Sequence, residues 1–338
     1  MSVEKSLVTF VFHKRDVNVD FFMRHGIVSS PNVDYCIVEN SDVLAPGVVE
    51  SMHGASKVYS ITRHNVSQCF GGYSASVRML TYPYKYRFFI NSTVRGPFVP
   101  PYASKSKHWT EYFVEKFVNN VVMVGATINL VPYVHVQSMM MAVDQRALKI
   151  LVDNNILLKE DVMVEKEALI ANHEIRGPQL VLKSGYNLDC MMTSYQGRDW
   201  RTTFTEADDL LQDPWYVGAY YGHTLHPYET MFFKCFRSDI LEHTPINLLT
   251  DLINRQQSAV LQFEASTDGK KSIDQFIEEN HKNSLEQKLS DVSSSGPTRG
   301  SMTKHSSALD LSLLLSTIAC VLGLVFLVIG SILLIRRR

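Results

Sequence analysis

The sequence lacks the short motifs that identify the commonest nucleotide-dependent and hydrolytic enzymes. It contains neither G-x-G-x-x-G nor G-x-x-x-x-G-K-[ST], the glycine-rich loops that bind phosphates, and neither H-E-x-x-H nor G-x-S-x-G. These absences argue against classical dehydrogenases, P-loop enzymes, zinc proteases and serine hydrolases. The five cysteines are scattered, with no C-x-x-C pair and no Cys/His cluster at zinc-ligand spacing. This pattern predicts free, mostly buried thiols, which are typical of a reducing compartment.

The chain also lacks an excess of charge of either sign. Its 33 Lys and Arg nearly balance its 34 Asp and Glu, which gives a formal net charge of -1. So small a net charge provides no electrostatic reason to expect a nucleic-acid partner. The 338 residues, 45% of them hydrophobic, are enough for one large domain or two ordinary ones with a substantial core.

The two ends of the chain differ in their apolar runs. Near the N-terminus, Leu7–Phe12 is too short for a signal peptide and leads directly into charges, so it predicts a first core strand. Near the C-terminus, Leu311–Ile335 is 25 residues long, carries no charge and is followed by three arginines. At 1.5 Å per residue such a run spans a bilayer core of roughly 30 Å, which predicts a transmembrane anchor.

The composition divides the chain into three parts. Residues 263–308 are rich in Ser, Lys, Glu and Asn and poor in aromatics, so they cannot bury enough apolar area to fold and predict a flexible tether. We therefore expect a domain over 1–262, a tether over 263–308 and a membrane anchor over 309–338. Because no signal peptide would export it, we expect the domain in the cytosol. By the positive-inside rule, the three terminal arginines favour a cytosolic C-terminus, which would place the domain on the luminal side instead.

Alternating apolar patterns over the first part predict an α/β fold. The predicted strands are Leu7–Phe12, Val33–Val38, Val58–Thr62, Phe88–Ile90, Val121–Val124 and Asn187–Met191. The predicted helices are Val17–Ile27, Tyr73–Leu80, His108–Phe117, Val136–Val152 and Glu165–Leu182. Strands and helices that alternate at these spacings indicate βαβ units around a mainly parallel sheet.

The stretch Tyr84–Pro101 contains the first candidate site. Its apolar residues end at Asn91, and a polar turn with Gly and Pro follows. Ligands of open α/β sheets bind just beyond the carboxyl ends of such strands, where Asn91, Ser92 and Arg95 fall. The stretch is equally compatible with a strand end that has a polar turn and no chemistry.

Three other segments concentrate polar groups. Residues 135–138 begin the predicted long helix, where free N–H groups could bind an anion or Ser138 could simply cap the helix. Glu174, at an expected loop-to-helix junction, is either a cap or a general base for a substrate hydroxyl. Residues 220–234 combine two His, one Glu, one Lys and several aromatics, a composition that suits sugar rings. With no third ligand beside its histidines, this segment alone does not predict a closed metal site.

Several of these segments, in this order, resemble GT-A-type glycosyltransferases, in particular the rhamnan-synthesis-like and capsular-polysaccharide-like group. Residues 63–73 (RHNVSQCFGGY) and Tyr86–Phe98 (YRFFINSTVRGPF) are similar to an "N-x-G-x-D-x-G" element followed by a strand that ends "N-[DS]-S-V-x-G-P-F". Residues 173–186 resemble the later acidic motif and its "aGy" turn, and 226–234 (HPYETMFFK) resemble the closing "HPxE…F-K" element. The likeness covers Leu7 to Phe236.

The resemblance implies a Rossmann-like sheet, a nucleotide-sugar donor and a glycan or protein acceptor whose hydroxyl is activated by a carboxylate. It assigns Glu174 as the catalytic base. The residues that it implies for the donor diphosphate are Asn91, Ser92 and Arg95, and those for the pocket are His226 and Glu229. We further predict Asn65 and Gln137 at the donor site and Lys234 in the acceptor pocket.

One departure from the family pattern concerns the metal. Many GT-A enzymes hold Mg²⁺ or Mn²⁺ with an Asp-x-Asp pair, where this chain has Asn91, Ser92 and Thr93. Hard cations prefer anionic oxygen ligands, so a divalent metal would be poorly held. Either Arg95 and backbone amides replace the metal, or the domain is a catalytically inactive binding or scaffold module on a membrane.

Overall fold

The computed structural model describes residues 5–42, 47–104, 106–202, 213–235 and 241–265. The chain forms two units, Met1–Gln256 and Gln257–Arg338, and the central sheet belongs to the first. The predicted tether lies outside the described residues except for 263–265, and the predicted anchor lies wholly outside them. In the described ranges, no helix combines the length and apolar composition needed to cross a bilayer.

The described residues form twelve strands and eight α-helices, most of them short. The strands are β1 (Ser6–Phe12), β2 (Val33–Ser41), β3 (Gly47–His53), β4 (Ser56–His64), β5 (Tyr86–Asn91), β6 (Val94–Arg95), β7 (Val121–Gly125), β8 (Ile128–Asn129), β9 (His135–Val136), β10 (Met140–Asp144), β11 (Asn187–Cys190) and β12 (Phe233–Lys234). The α-helices are α1 (Val17–Phe21), α2 (Gln68–Met79), α3 (Glu111–Val114), α4 (Gln145–Asp153), α5 (Lys166–Leu169), α6 (Arg176–Lys183), α7 (Pro227–Thr230) and α8 (Ile246–Ala265). π-helical turns follow α1 and α5, over Phe22–Gly26 and Ile170–Ile175, and Thr193–Tyr195 forms a 3₁₀ turn.

The central sheet has eight strands in the order β11-β7-β10-β5-β1-β2-β4-β3. All run in one direction except β10, which lies between β5 and β7, and β3 at one edge. The predicted α/β class with a mainly parallel sheet is therefore confirmed. β1 pairs with β2 on one side and with β5 on the other, so the winding of the chain reverses between β1 and β5. Ligands of open α/β sheets bind beyond the carboxyl ends of the strands at such a reversal.

The two strands at this reversal have almost no solvent-exposed apolar residues. Leu7, Val8 and Phe10 of β1 and Phe88–Ile90 of β5 are all completely buried. A parallel strand covered on both faces has a near-continuous apolar run, which is the pattern that predicted these strands. Each of the six predicted strands falls on an observed strand. The bounds of β1, β7 and β11 agree with the prediction to within one residue, whereas β2, β4 and β5 extend two or three residues beyond it at one end or both.

The predicted helix over Val136–Val152 is wrong in its first half. Residues 135–136 form β9, residues 140–144 form β10, and only Gln145–Asp153 is helical. Met and Ala favour helices, but here they pair with β5 and β7 in the interior of the sheet, and this pairing outweighs helix propensity. The helix begins after Asp144, whose carboxylate caps the N–H groups of Arg146 and Ala147 at 2.9 and 3.0 Å.

The predicted helix over Glu165–Leu182 is confirmed, although it is not uniform. α5, a π-helical turn and α6 follow one another without a break from Lys166 to Lys183. Glu174 therefore lies inside a helix, not at the loop-to-helix junction that we expected. The helix ends in a Schellman motif, in which Gly185 has φ +85° and the Tyr186 N–H donates to the Val181 carbonyl at 3.3 Å.

The remaining helix predictions differ in accuracy. The one over Val17–Ile27 matches α1 and its π-helical turn, and the one over Tyr73–Leu80 overlaps α2. Of His108–Phe117, only the single turn α3 is α-helical. The edge strand β3 was not predicted. It forms a hairpin with β4 through Gly54, whose φ of +57° suits a two-residue turn.

Acidification is expected to destabilise the fold through His108. Its Nε2 lies 2.9 Å from the Tyr35 hydroxyl, and its Nδ1 accepts a hydrogen bond from the Thr110 N–H at 3.2 Å. Burial lowers the pKa of His108 to about 4, against 6.5 for an exposed histidine. Between these pH values the unfolded state binds the proton first, so stability falls as pH falls, by about 3 kcal/mol.

Urea unfolding at pH 7.0 and pH 4.5 measures this effect. The His108→Gln variant should lose less stability between the two pH values than the parent chain. The pKa values of His25 and His135 are also lowered by burial, so some pH dependence of the same sign should remain in the variant. Equal losses in the parent and the variant would show that His108 does not contribute.

Candidate functional site

The candidate site lies beyond the carboxyl ends of β1 and β5. Asn91 ends β5, and its Oδ1 accepts hydrogen bonds from the Thr93 N–H (3.0 Å) and the Thr93 hydroxyl (2.6 Å), which closes an Asx turn. The Ser92 N–H donates to the Val11 carbonyl at 3.0 Å. The backbone N–H groups of Ser92 and Thr93, which we expected to be able to replace a metal, therefore have partners within the protein.

Glu174 reaches this edge of the sheet from the π-helical turn. Its Oε2 accepts a hydrogen bond from the Ser138 hydroxyl, and the neighbouring Met139 carbonyl accepts from the Asn91 N–H at 3.1 Å. The Glu174 side chain is 21% exposed, so a ligand can reach it. π-helical turns are frequent at functional sites because the added residue changes the direction in which a side chain points.

His135 is a titratable neighbour of the Glu174 carboxylate. Its Nε2 lies 3.9 Å from Glu174 Oε1, and its Nδ1 lies 2.7 Å from the Tyr133 carbonyl. A carbonyl only accepts, so Nδ1 carries a proton. Burial lowers the pKa of His135, although the Tyr133 carbonyl, Glu174 and Asp213 oppose this change. The ring is therefore neutral, and its Nε2 lone pair faces Glu174 Oε1, which leaves two acceptors for a hydroxyl group to approach.

Cys69 and Tyr73 of α2 lie beside the same site. The Tyr73 hydroxyl donates to the Ser138 carbonyl at 2.9 Å. Burial and, to a smaller extent, the Glu174 carboxylate raise the pKa of the Cys69 thiol to about 12, although the Asn91 amide opposes this change. A thiol in this state is protonated and a poor nucleophile.

Gln137 connects the site to residues 213–215. It is 3% exposed, and its Oε1 accepts hydrogen bonds from the Thr127 hydroxyl and from Trp215 Nε1, both at 2.8 Å. Its Nε2 lies 3.5 Å from Asp213 Oδ1. Because its side-chain carbonyl accepts from two buried donors, Gln137 connects the segment before β10 to Thr127 and Trp215. Its predicted role in donor binding stays a prediction.

Lys234 is a cation close to this cluster. β12 pairs with β6 beside the Asn91 turn, with Lys234 opposite Val94, and the next N–H, that of Cys235, donates to the Thr93 carbonyl at 2.9 Å. Lys234 is half-buried and close enough to His135 to lower the pKa of that ring. Among the described residues, its ammonium group forms no hydrogen bond and no ion pair. It is therefore free to bind an anion.

Arg95 has a different environment from the one we expected. It is 5% exposed, its Nε donates to Asn18 Oδ1 at 2.9 Å, and its Nη1 donates to Asn247 and Thr250 of α8 at 3.1 and 3.0 Å. Asn18 in turn donates to the Ser92 carbonyl at 3.0 Å. Arg95 thus joins α1, β6 and α8, and it would have to leave these partners to bind a diphosphate.

The other predicted site residues lie around the cluster or away from it. The half-buried Ser92 side chain lies at the Asn91 turn, and the half-buried Asn65 follows β4 on the same edge of the sheet. His226 is exposed and caps α7, where its side chain accepts from the Tyr228 N–H at 3.2 Å. Glu229 accepts from the Thr193 N–H and the Tyr220 hydroxyl at 2.8 and 3.1 Å, so it holds the segment after β11.

The residues at the Asn91 turn do not suit a divalent metal. The Asn91 side-chain oxygen Oδ1 accepts two hydrogen bonds from Thr93, and residues 91–95 contain no carboxylate. Across the described part of the chain, no group of three His, Cys, Asp or Glu side chains could hold a metal ion. We therefore derive no chemical step through Mg²⁺ or Mn²⁺.

Two members of the site, His135 and Ser138, were noted in the sequence for the wrong reason. Both belong to the segment that we expected to begin a helix, whereas it forms β9 and leads into β10. A polar pair in an otherwise apolar run was the only signal available. Its connection to Glu174, 36 residues from Ser138 along the chain, depends on the sheet.

The sequence matches no protein-family model, and no curated protein matches it.

Proposed function

We propose that this protein is a GT-A-type glycosyltransferase that moves a sugar from a nucleotide-sugar donor to a hydroxyl of a glycan or protein acceptor. Leu311–Ile335 would anchor it in a membrane, with the domain in the cytosol or, alternatively, on the luminal side. One observation carries the proposal. The Glu174 carboxylate and the Lys234 ammonium group, which has no partner in the part of the chain that the structure describes, lie around one neutral histidine at the edge of the sheet where α/β folds bind ligands.

In this proposal, Glu174 is the general base. The acceptor hydroxyl donates a hydrogen bond to Glu174 Oε1, and its oxygen attacks the anomeric carbon of the donor. The bond between that carbon and the diphosphate breaks as the hydroxyl proton moves to the carboxylate, so charge and atoms balance. The hydrogen bond from Ser138 keeps the carboxylate in position, as general-base catalysis requires.

The cationic partner of the leaving diphosphate would be Lys234. A compact ammonium group without a counter-ion binds phosphate oxygens through charge-assisted hydrogen bonds. The loop after β1 adds the exposed residues His13, Lys14 and Arg15 at the same edge of the sheet. Arg15 already pairs with Asp20 at 2.6 Å, so Lys14 is the better candidate for a second cation.

The alternative is an inactive binding module. It is favoured by one observation, namely that Arg95 and the N–H groups of Ser92 and Thr93 are all engaged within the protein. Such a module would still bind a nucleoside diphosphate through Lys234, but it would transfer no sugar.

Two measurements on the full-length chain in detergent separate these functions. Release of nucleoside diphosphate from a panel of nucleotide sugars, with and without glycan acceptors, reports turnover. Thermal shift with the nucleoside diphosphates alone reports binding. Turnover that Glu174→Gln abolishes supports the transferase. Binding without turnover supports the inactive module, and the absence of both would exclude the proposed donor class.

A further inference from the structure

A cleft opens at the edge of the central sheet that is formed by the amino ends of the strands, opposite the edge that carries the Glu174 site. It has a volume of about 280 Å³ and lies where the amino ends of β7 and β11 pair, with Asn187 opposite Val121. The Glu174 site adjoins the other end of β7, where Gly125 pairs with Met141. Five residues of strand separate the two edges by roughly 13 Å, since a strand rises about 3.3 Å per residue. The cleft is therefore not part of the proposed transfer site.

The lining of the cleft is polar and electrically balanced. Two Asp and two Arg side chains contribute equal and opposite formal charges, and three Asn side chains add donors and acceptors. The members that matter here are Asn119, Asn120, Asn187, Asp189, Asp199 and Arg201. Arg201 and Asp199 form a bidentate pair at 2.8 and 2.6 Å, so these two charges compensate each other. Such a lining favours an uncharged ligand over a phosphate or a metal ion.

Two features show how the cleft is built. Asp189 is 6% exposed, its Oδ1 accepts from the Cys190 N–H at 2.7 Å, and Lys116 lies 3.9 Å from Oδ2. Burial raises the pKa of Asp189, although Lys116 opposes this. Asn187 holds the opposite wall, because its side chain donates to the Arg198 carbonyl at 2.8 Å and accepts from the Trp200 N–H at 2.9 Å. A polar carboxylate thus lines a cleft whose walls are fixed by hydrogen bonds.

Asn119 and Asn120 are the groups available to a ligand. Both are exposed, and neither side-chain amide forms a hydrogen bond with another described residue. An amide offers an acceptor and two donors in one plane, which matches the adjacent hydroxyl groups of a sugar ring. The volume is slightly below the roughly 300 Å³ at which sites for drug-sized ligands begin, so it suits one or two sugar units.

We propose that this cleft is a second carbohydrate-binding site, which takes a neutral sugar unit of a glycan. A peptide fits less well, because the lining offers only Val118 and Val121 as apolar contacts, and peptide side chains need larger apolar pockets. This inference goes beyond the proposed transfer reaction and does not depend on it, since it concerns binding alone.

Saturation-transfer NMR on the full-length chain tests the proposal. The chain is kept in a detergent without a sugar headgroup, and the probes are neutral monosaccharides and disaccharides, without any nucleotide sugar. We expect transfer to at least one saccharide, a five- to tenfold weaker affinity (about one neutral hydrogen bond) in Asn120→Ala, and no binding when Val118→Trp fills the cleft. Asn32→Ala, which changes another exposed asparagine, is the matched control and should bind as the parent does.

The outcomes separate this inference from the proposed function. Saccharide binding should persist in Glu174→Gln, and the thermal shift with nucleoside diphosphates should persist in Asn120→Ala. If no saccharide shows saturation transfer, or if both cleft variants bind the saccharide as the parent does, the carbohydrate site is overturned. Displacement of the saccharide by an unrelated peptide that binds more tightly also overturns it. A lack of sugar transfer activity in the parent leaves the cleft proposal standing.

Discussion

Glu174→Gln is expected to lower the rate of sugar transfer about 10²–10⁴-fold, the range typical for loss of a general base. The amide has the same shape as the carboxylate and can still accept the hydrogen bond from Ser138, but it cannot take a proton at neutral pH. The Michaelis constant for the donor should change little, because the base contacts the acceptor. Initial rates with the donor that supports turnover give both quantities.

The matched control for this change lies on the same continuous helical segment. Glu167 is exposed in α5, so Glu167→Gln makes the same chemical change as Glu174→Gln at a position outside the site. Thermal unfolding of both variants checks that the fold is kept. If Glu174→Gln transfers sugar at the parent rate, or if Glu167→Gln loses as much activity, the carboxylate is not the base.

Lys234→Met is expected to raise the Michaelis constant for the donor about 10–100-fold, which corresponds to one charge-assisted hydrogen bond of about 1.5–3 kcal/mol. Methionine keeps much of the unbranched stem and removes only the charge. The turnover number should also fall, because the same ammonium group would stabilise the negative charge that develops on the leaving diphosphate. Lys234→Arg should recover part of the donor affinity, since the charge is restored.

Lys183→Met is the matched control for the loss of this charge. Lys183 is the exposed last residue of α6, and its ammonium group forms no hydrogen bond or ion pair with another described residue. Its replacement should leave both kinetic constants unchanged. An unaltered donor constant in Lys234→Met, with an enlarged one in Lys14→Met, would move the diphosphate to the loop after β1.

Local patterns were sufficient for the strands with both faces covered. In Leu7–Phe12 and Phe88–Ile90, burial on both faces requires an apolar residue at nearly every position, and this requirement is visible in the sequence alone. The edge strand β3 escaped prediction because Val49 and Met52 are 64% and 61% exposed and give no continuous apolar run.

Met140–Asp144 shows where local patterns fail. Its residues favour a helix by composition, yet the segment is inserted antiparallel between β5 and β7, where it pairs on both sides. Residues 50 to 58 positions earlier in the chain supply one of these partners, so no short window of sequence around Met140 contains the interaction that decides its structure.

For the site, the sequence by itself determined the kind of groups present and placed Asn91 at the end of a buried strand. Only the tertiary structure decided which of them meet. It turned Arg95 inward to Asn18 and α8, gave the Lys234 ammonium group no partner among the described residues, and brought Ser138 and His135 to Glu174. The reason is physical: whether a charged side chain is buried and paired, or available to a ligand, depends on neighbours far away along the chain.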